Sequence, residues 1–387
     1  MGWSPFRPTG LTHHAPGLSF KGYTLFAPIG QDFTLLLDMD GRIVHRWRTP
    51  GFRPFCPRLM PDGRLLVLSN EAGVERPKEP GPRDQPPSAP AIYRLIGGAA
   101  TDVLELDWDG TITWRYSNLA IHHDFAALKN GNVVLPEFQE VPEDLAERVR
   151  GGVRKPGEKL PPLISDDFIE VDRAGAVVDR IHLWELLDPV KDPIGPLERR
   201  WEWTHTNAVD ITPDQRILFS CRDNSRIGII NRETKRLDWK FGAPETFYQH
   251  HVTWLHNGNV LVFDNGMNRS QDLPHSRVVE INPKDNSIAW KYQGNPPPQF
   301  FSAHISGCHR LSNGNTLICE GASGRLFEVT PAGEYAWEWV NPIHFARGET
   351  RMNWVFRAYR YGPDYSGLAG RDLDPTRYAD LNRLFGL

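Results

Sequence analysis

One recurring phrase constrains this chain more than any other feature: an apolar residue shortly before a turn dipeptide, followed at once by an apolar strand. Its copies are 59–68 with Asp62-Gly63, 128–135 with Asn130-Gly131, 255–263 with Asn257-Gly258 and 311–318 with Asn313-Gly314, with a weaker copy at 212–219. Asn-Gly and Asp-Gly supply the positive φ angles of a tight hairpin turn, so each phrase reads as a hairpin with its two strands attached. A second phrase follows each first, an alternating strand, a turn and a strand that usually ends on an aromatic, at 34–47, 103–114, 168–181, 227–239, 278–290 and 326–337. From Trp47 to Trp337 are 290 residues in five intervals, 58 each, enough for four strands and their loops.

Six such units fit an all-β, six-bladed β-propeller of four-stranded blades. Period-two alternation in strands such as Val278-Val279-Glu280-Ile281 excludes a helical solenoid, while stacked sandwiches stay open. The whole chain, 1–387, reads as one propeller domain with blades at 23–48 plus 353–361, 56–116, 123–184, 205–241, 250–292 and 304–340. The first unit is one strand short, and the unassigned alternating segment 353–361 is expected to complete it as the inner strand, closing the ring. Insertions at 74–90, rich in proline, and at 141–162, with a helical turn or two around 143–150, are candidate lids. Asp374-Pro375 reads as an N-cap and first-turn proline opening a short helical tail over 374–384.

Composition narrows the partners. Lys plus Arg number 44 against 48 Asp plus Glu, a net charge of −4, so no basic excess attracts nucleic acid or a membrane surface. Thirteen tryptophans call for buried packing or a binding role. Cys56, Cys221, Cys308 and Cys319 are too scattered for a disulfide framework or a structural zinc site. With no signal-peptide core at the N-terminus and no long apolar run, a cytoplasmic protein is the expectation.

Aligning the units on their turns places position 54, His123, Asn207, His250 and Ser306 in one column. In a propeller such positions converge at one mouth of the channel. The residues gathered there are His122-His123-Asp124, His205-Thr206-Asn207, Gln249-His250-His251, His304 and His309. His251, His256 and His309 read as ordinary strand-end histidines, whereas the shared register of His123, His205 and His250 points to a site. Arg222, ending an apolar strand, is a surface cation or an anion clamp, and Asp264-Asn265-Gly266 with Arg269 is a turn or a second part of the site. Histidines with an arginine around a narrow opening suit a tetrahedral oxyanion: imidazole attacks or donates a proton, and guanidinium forks onto two oxygens. No glycine-rich phosphate loop, HExxH helix or Gly-x-Ser-x-Gly elbow is present.

His205-Thr206-Asn207 followed by Ser220-x-Arg222, Gln249-His250 followed by Phe263-Asp264-Asn265-Gly266, and His122-His123-Asp124 together resemble the bacterial arylsulfotransferases that work without the nucleotide donor PAPS, over about 23–361. The resemblance implies a six-bladed propeller and sulfuryl transfer from an aryl sulfate to a phenol by a ping-pong route. It makes His250 the nucleophile, with His205 and Arg222 on the sulfuryl oxygens and His123 and Asn207 completing the pocket; His122, His304 and Arg269 are further candidate substrate contacts. No cofactor is expected on this reading. Two alternatives stand beside it. One is a metal-dependent hydrolase or lyase with a divalent ion held by His122, His123, His205, His250 and His304, near Asp124, Glu137 and Glu320. The other is a propeller that only binds a ligand or partner.

Overall fold

Antiparallel sheets, most of them four-stranded, follow one another along the chain and make it a six-bladed β-propeller. The computed structural model describes residues 8–74, 88–154, 160–269 and 272–387. Most of the proline-rich insertion lies outside them; its end leads into a short helix, Ala89–Leu95.

The chain divides into two compact units. The first runs to Ser69 and adds Val103–Trp114 and Tyr292–Leu387. Here the segment near the C-terminus, Val355–Tyr361, pairs with Tyr23–Pro28, giving blade 1 the order Val355–Tyr361, Tyr23–Pro28, Phe33–Leu37, Ile43–Arg48. The ring-closing strand is therefore the one expected from the sequence. Blade 6 carries a strand that the repeat did not show: Gly10–His14 adds to Tyr335–Val340 as a fifth, outermost strand. Trp47, Trp337 and Trp339 are wholly buried in this unit's core. At the tail the Asp374 side chain accepts from the Thr376 backbone N–H and caps a 3-10 turn, Pro375–Tyr378, which leads into the helix Ala379–Phe385.

The second unit, Asn70–Asp102 and Arg115–Lys291, holds blades 3, 4 and most of 5. Blade 4 is a meander of Thr206–Ile211, Ile217–Cys221, Arg226–Asn231 and Arg236–Gly242. Its second strand is buried at every position, while its last alternates, because only the inner strands are covered on both faces. Phe168, Phe219, Trp203 and Ile230 share one apolar cluster of this unit, each such side chain contributing roughly 1.5–3 kcal/mol on burial. The insertion after blade 3's second strand forms a helical turn, Glu143–Ala146, and a short strand, Gly151–Val153, that pairs in parallel with Ile194–Arg199. That pairing delivers Ile194–Arg199 to blade 4, where the Gly195 backbone N–H donates to the Asp223 carbonyl at 2.7 Å.

Candidate functional site

In the second unit the inner strands begin with a backbone irregularity. His123, His205, Tyr248 and His251 all have φ between 52° and 59°, and the ladder is bulged between Thr206 and Ala208 and between His250 and Val252. Left-handed φ is costly for residues with side chains, and a bulge re-aims the side chain beside it. The chain holds this conformation where the polar residues gather.

From blade 3, His122 is fully buried and stacks on Phe138 with ring centroids 3.8 Å apart. Its Nδ1 lies 2.8 Å from Nδ1 of His123, one donating to the other, and its Nε2 lies 3.1 Å from Oδ1 of Asp166, off the hydrogen-bond axis. Asp166 Oδ2 accepts from the Thr204 hydroxyl and the Thr206 backbone N–H, both at 2.7 Å. Burial alone would raise this carboxyl, but His122 and the two threonines hold it below the usual carboxylate range. Asp124 has a structural task, its two oxygens accepting from the N–H groups of Phe125 and Val209. Gly98 makes the close approach possible, since a Cβ there would lie 2.2 Å from His123 Nε2.

From blade 4, the His205 ring meets that of His123 with centroids 4.5 Å apart, and its Nδ1 lies 2.8 Å from Oε1 of Glu202. Burial pushes the Glu202 carboxyl up to about 7, with Asp223 and Asp166 adding to the shift. The Arg222 backbone N–H donates to the His205 carbonyl at 3.0 Å, which fixes the two residues together. The Arg222 guanidinium lies 4.8 Å from the centre of the Tyr248 ring and meets Asp223 at 2.5 Å and Glu198 at 3.4 Å. Burial works against its charge, but Asp223 and Glu198 overcome that and raise its pKa. Asp223 is raised, by burial first and by Glu198.

From blade 5, His250 is 2% exposed, and its Nδ1 lies 2.7 Å from Oδ1 of Asn265 and 3.1 Å from the Tyr248 carbonyl oxygen. A carbonyl can only accept, so Nδ1 carries the hydrogen and Nε2 keeps the lone pair. Asn207 donates from Nδ2 to the Gln249 carbonyl, one residue before His250, at 2.8 Å. His122, His123, His205, Arg222 and His250 are thus linked through one chain of contacts in a single unit.

The remaining expected contacts have partners of their own. Arg269 is committed to Asp264 at 2.5 Å and to His275 at 3.0 Å, and Asp264 also takes Arg277, so this arginine braces the loop that carries Asn265. His304 belongs to the first unit and packs edge-on against Trp354. His309 accepts the Arg360 backbone N–H, an ordinary strand-end role. Glu137 is taken by Asn118 and Arg180, and Glu320 by Arg325. Of the five histidines considered as ligands of one metal, only His205 belongs to a cluster with metal-binding spacing among the described residues; its companions there are Glu202 and Asp223. Sequence reasoning missed Asp166, Glu202, Asp223 and Glu198. Glu202, between Trp201 and Trp203, was the one signal available, an acid in an aromatic run three residues before a site histidine.

The family model of the arylsulfotransferases (ASST) matches residues 30–249, more than half of the chain. The chain belongs to the arylsulfotransferase family. The match takes in His122, His123, His205, Asn207 and Arg222 and stops one residue short of His250. No curated protein matches this family member. Among solved structures, a protein of unknown function from Bacteroides caccae is 12% identical, with 88% of this chain and 98% of that chain covered and a TM-score of 0.53. A streptogramin B lyase is 12% identical over 92% and 93% of the two chains at a TM-score of 0.46. Virginiamycin B lyase from Staphylococcus aureus is 12% identical over 75% and 70% at 0.41. Only the first is similar enough to carry an argument, and at its identity it speaks for the fold alone.

Proposed function

We propose that this arylsulfotransferase-family protein moves a sulfuryl group from an aryl sulfate to a phenolic acceptor through a transient sulfohistidine at His250, with no nucleotide donor. The observation that carries the reading is the hydrogen bonding of His250: Asn265 and the Tyr248 carbonyl hold the proton on Nδ1, which makes Nε2 the nitrogen that attacks sulfur. Nε2 forms a bond to sulfur as the bond from sulfur to the aryl oxygen breaks, and the phenolate leaves with the electron pair. His123 or His205 supplies the proton that neutralises it. An acceptor phenol then gives its proton to the same histidine while its oxygen attacks sulfur and releases His250.

Arg222, kept charged by Asp223 and Glu198, meets the oxygens whose negative charge is present throughout. Asp166 and His122 act behind His123: when His122 carries a proton on each nitrogen, it donates from Nδ1 to Nδ1 of His123, which places the His123 proton on Nε2. Asn207 positions the backbone before His250.

The test is release of nitrophenolate from p-nitrophenyl sulfate with and without added phenol. Release that phenol accelerates, with aryl sulfate of the acceptor formed and both lost in His250→Ala, is the expected result. Undiminished release by His250→Ala overturns the reading.

A further inference from the structure

We propose that Glu202, His205 and Asp223 form a binding site for one divalent transition-metal ion of the zinc or manganese class. The proposal stands independently of sulfuryl transfer through His250, which routes no step through a metal.

The first observation is convergence: one ligand atom from each of the three residues lies within 4.8 Å of the other two, all inside the second unit. An ion about 2.1 Å from each donor sets neighbouring donors roughly 3–3.5 Å apart, so small side-chain rotations bring the three into range. Independent of that spacing is the state of the donor atoms. Glu202 is 4% exposed, and its Oε1 lacks a hydrogen-bond partner, as does Nδ1 of His205. These two atoms are 2.8 Å apart, yet their contact falls short of hydrogen-bond geometry. Sharing a proton would draw them into line. Lying side by side instead is how adjacent ligands stand when both face a common ion.

Charge points the same way. Glu202, Asp223, Asp166 and Glu198 are four carboxyl groups around this cluster, and Arg222 is the guanidinium set against them. A divalent cation would offset the negative charge gathered by these carboxylates. The supporting shell is in place: Arg222 Nη1 holds Oδ1 of Asp223, and the Asp223 backbone N–H donates to the Thr204 carbonyl at 3.1 Å. One imidazole nitrogen and two carboxylates suit zinc or manganese, whereas calcium takes six to eight oxygens. Coordination through Nδ1 leaves the Nε2–H of His205 to hydrogen-bond a substrate oxygen, so with the ion bound His205 would orient the substrate and His123 would carry the proton.

The experiment is calorimetric titration of zinc into the chelator-treated full chain, without aryl sulfate, followed by X-ray absorption at the zinc edge. Expected are one equivalent bound in the micromolar range or tighter, and a first shell of one imidazole with carboxylate oxygens. Glu202→Gln and Asp223→Asn should each weaken binding about tenfold or more, while His250→Ala binds like the wild type. Circular dichroism reports whether each variant folds, and the wild-type stoichiometry and absorption spectrum decide the matter if one does not. Less than one equivalent on the wild type, a shell of several imidazoles, or unchanged affinity in both folded carboxylate variants overturns the site. Because no substrate is present, none of these outcomes depends on whether His250 carries a sulfuryl group.

Discussion

Two buried charge clusters, one in each unit, are built in opposite ways. In the first, Arg360 and Glu328 are both wholly buried and pair directly; Glu328 Oε1 also takes the Phe20 N–H and the Asn315 amide, and the Arg360 guanidinium lies 4.3 Å from the centre of the Trp337 ring. In the second, Glu202, His205, Asp166 and His122 are close in pairs, yet the facing atoms make no hydrogen bond to one another. Buried polar atoms in native structures are nearly always satisfied, so the facing Glu202 and His205 atoms call for a partner such as the proposed ion. One arrangement joins its opposite charges directly; the other leaves facing donor atoms offset, as the proposed ion would require.

Breaking the closed pair should have the largest effect. Glu328→Gln leaves the Arg360 charge buried without its partner and should cost about 3–5 kcal/mol in urea unfolding; a loss below about 1 kcal/mol would erase the contrast between the units. In the second unit, Asn265→Ala should lower the urea midpoint little while turnover falls about a hundredfold, roughly 2.7 kcal/mol of activation energy, because the His250 ring loses the shorter of the two hydrogen bonds that orient it. Equal damage to folding and rate would place Asn265 with the structural residues.

A titration sharpens the same contrast. In the first unit His45 stacks on Trp108 with centroids 4.0 Å apart, and burial lowers its pKa from 6.5 to about 4. The unfolded chain therefore takes up the proton first. The stability His45 contributes is fully present above about pH 6.5 and is lost as the pH falls through about 4, on the order of 3 kcal/mol. Urea midpoints across that window should drop less steeply in His45→Asn; parallel profiles would contradict the assignment. The smallest effect is expected at Gly98, whose φ of +77° disfavours any side chain. Gly98→Ala should cost about 1–2 kcal/mol from the backbone alone and should displace His123, seen as a shifted imidazole resonance. An unmoved resonance would mean that the ring has room the structure does not show.

The fold was legible because Asn-Gly and Asp-Gly turns recur in four of the units, each marking a hairpin by local chemistry. A missing strand in the first unit was enough to assign Val355–Tyr361. Gly10–His14 escaped because its pairing with Tyr335–Val340 leaves no local pattern, and the parallel pairing of Gly151–Val153 with Ile194–Arg199 escaped for the same reason. In the site, His205, Arg222 and His250 stood out as polar side chains at the ends of apolar strands. Asp166, Glu202 and Asp223 did not, since an acid in or beside a strand reads as a solvated position until the neighbouring blade covers it. An arginine after Asp-Asn-Gly has the same sequence signature whether it meets a substrate or its own loop's aspartate, and in the structure Arg269 pairs with Asp264.

The most direct test of the account is to mix the enzyme with p-nitrophenyl sulfate in the absence of acceptor, quench in alkali and identify the modified peptide by mass spectrometry. One added SO3 on the peptide carrying His250, chased off by phenol and absent in His250→Ala, is the result expected. Turnover that proceeds with no adduct, or an adduct that persists in His250→Ala, would contradict it.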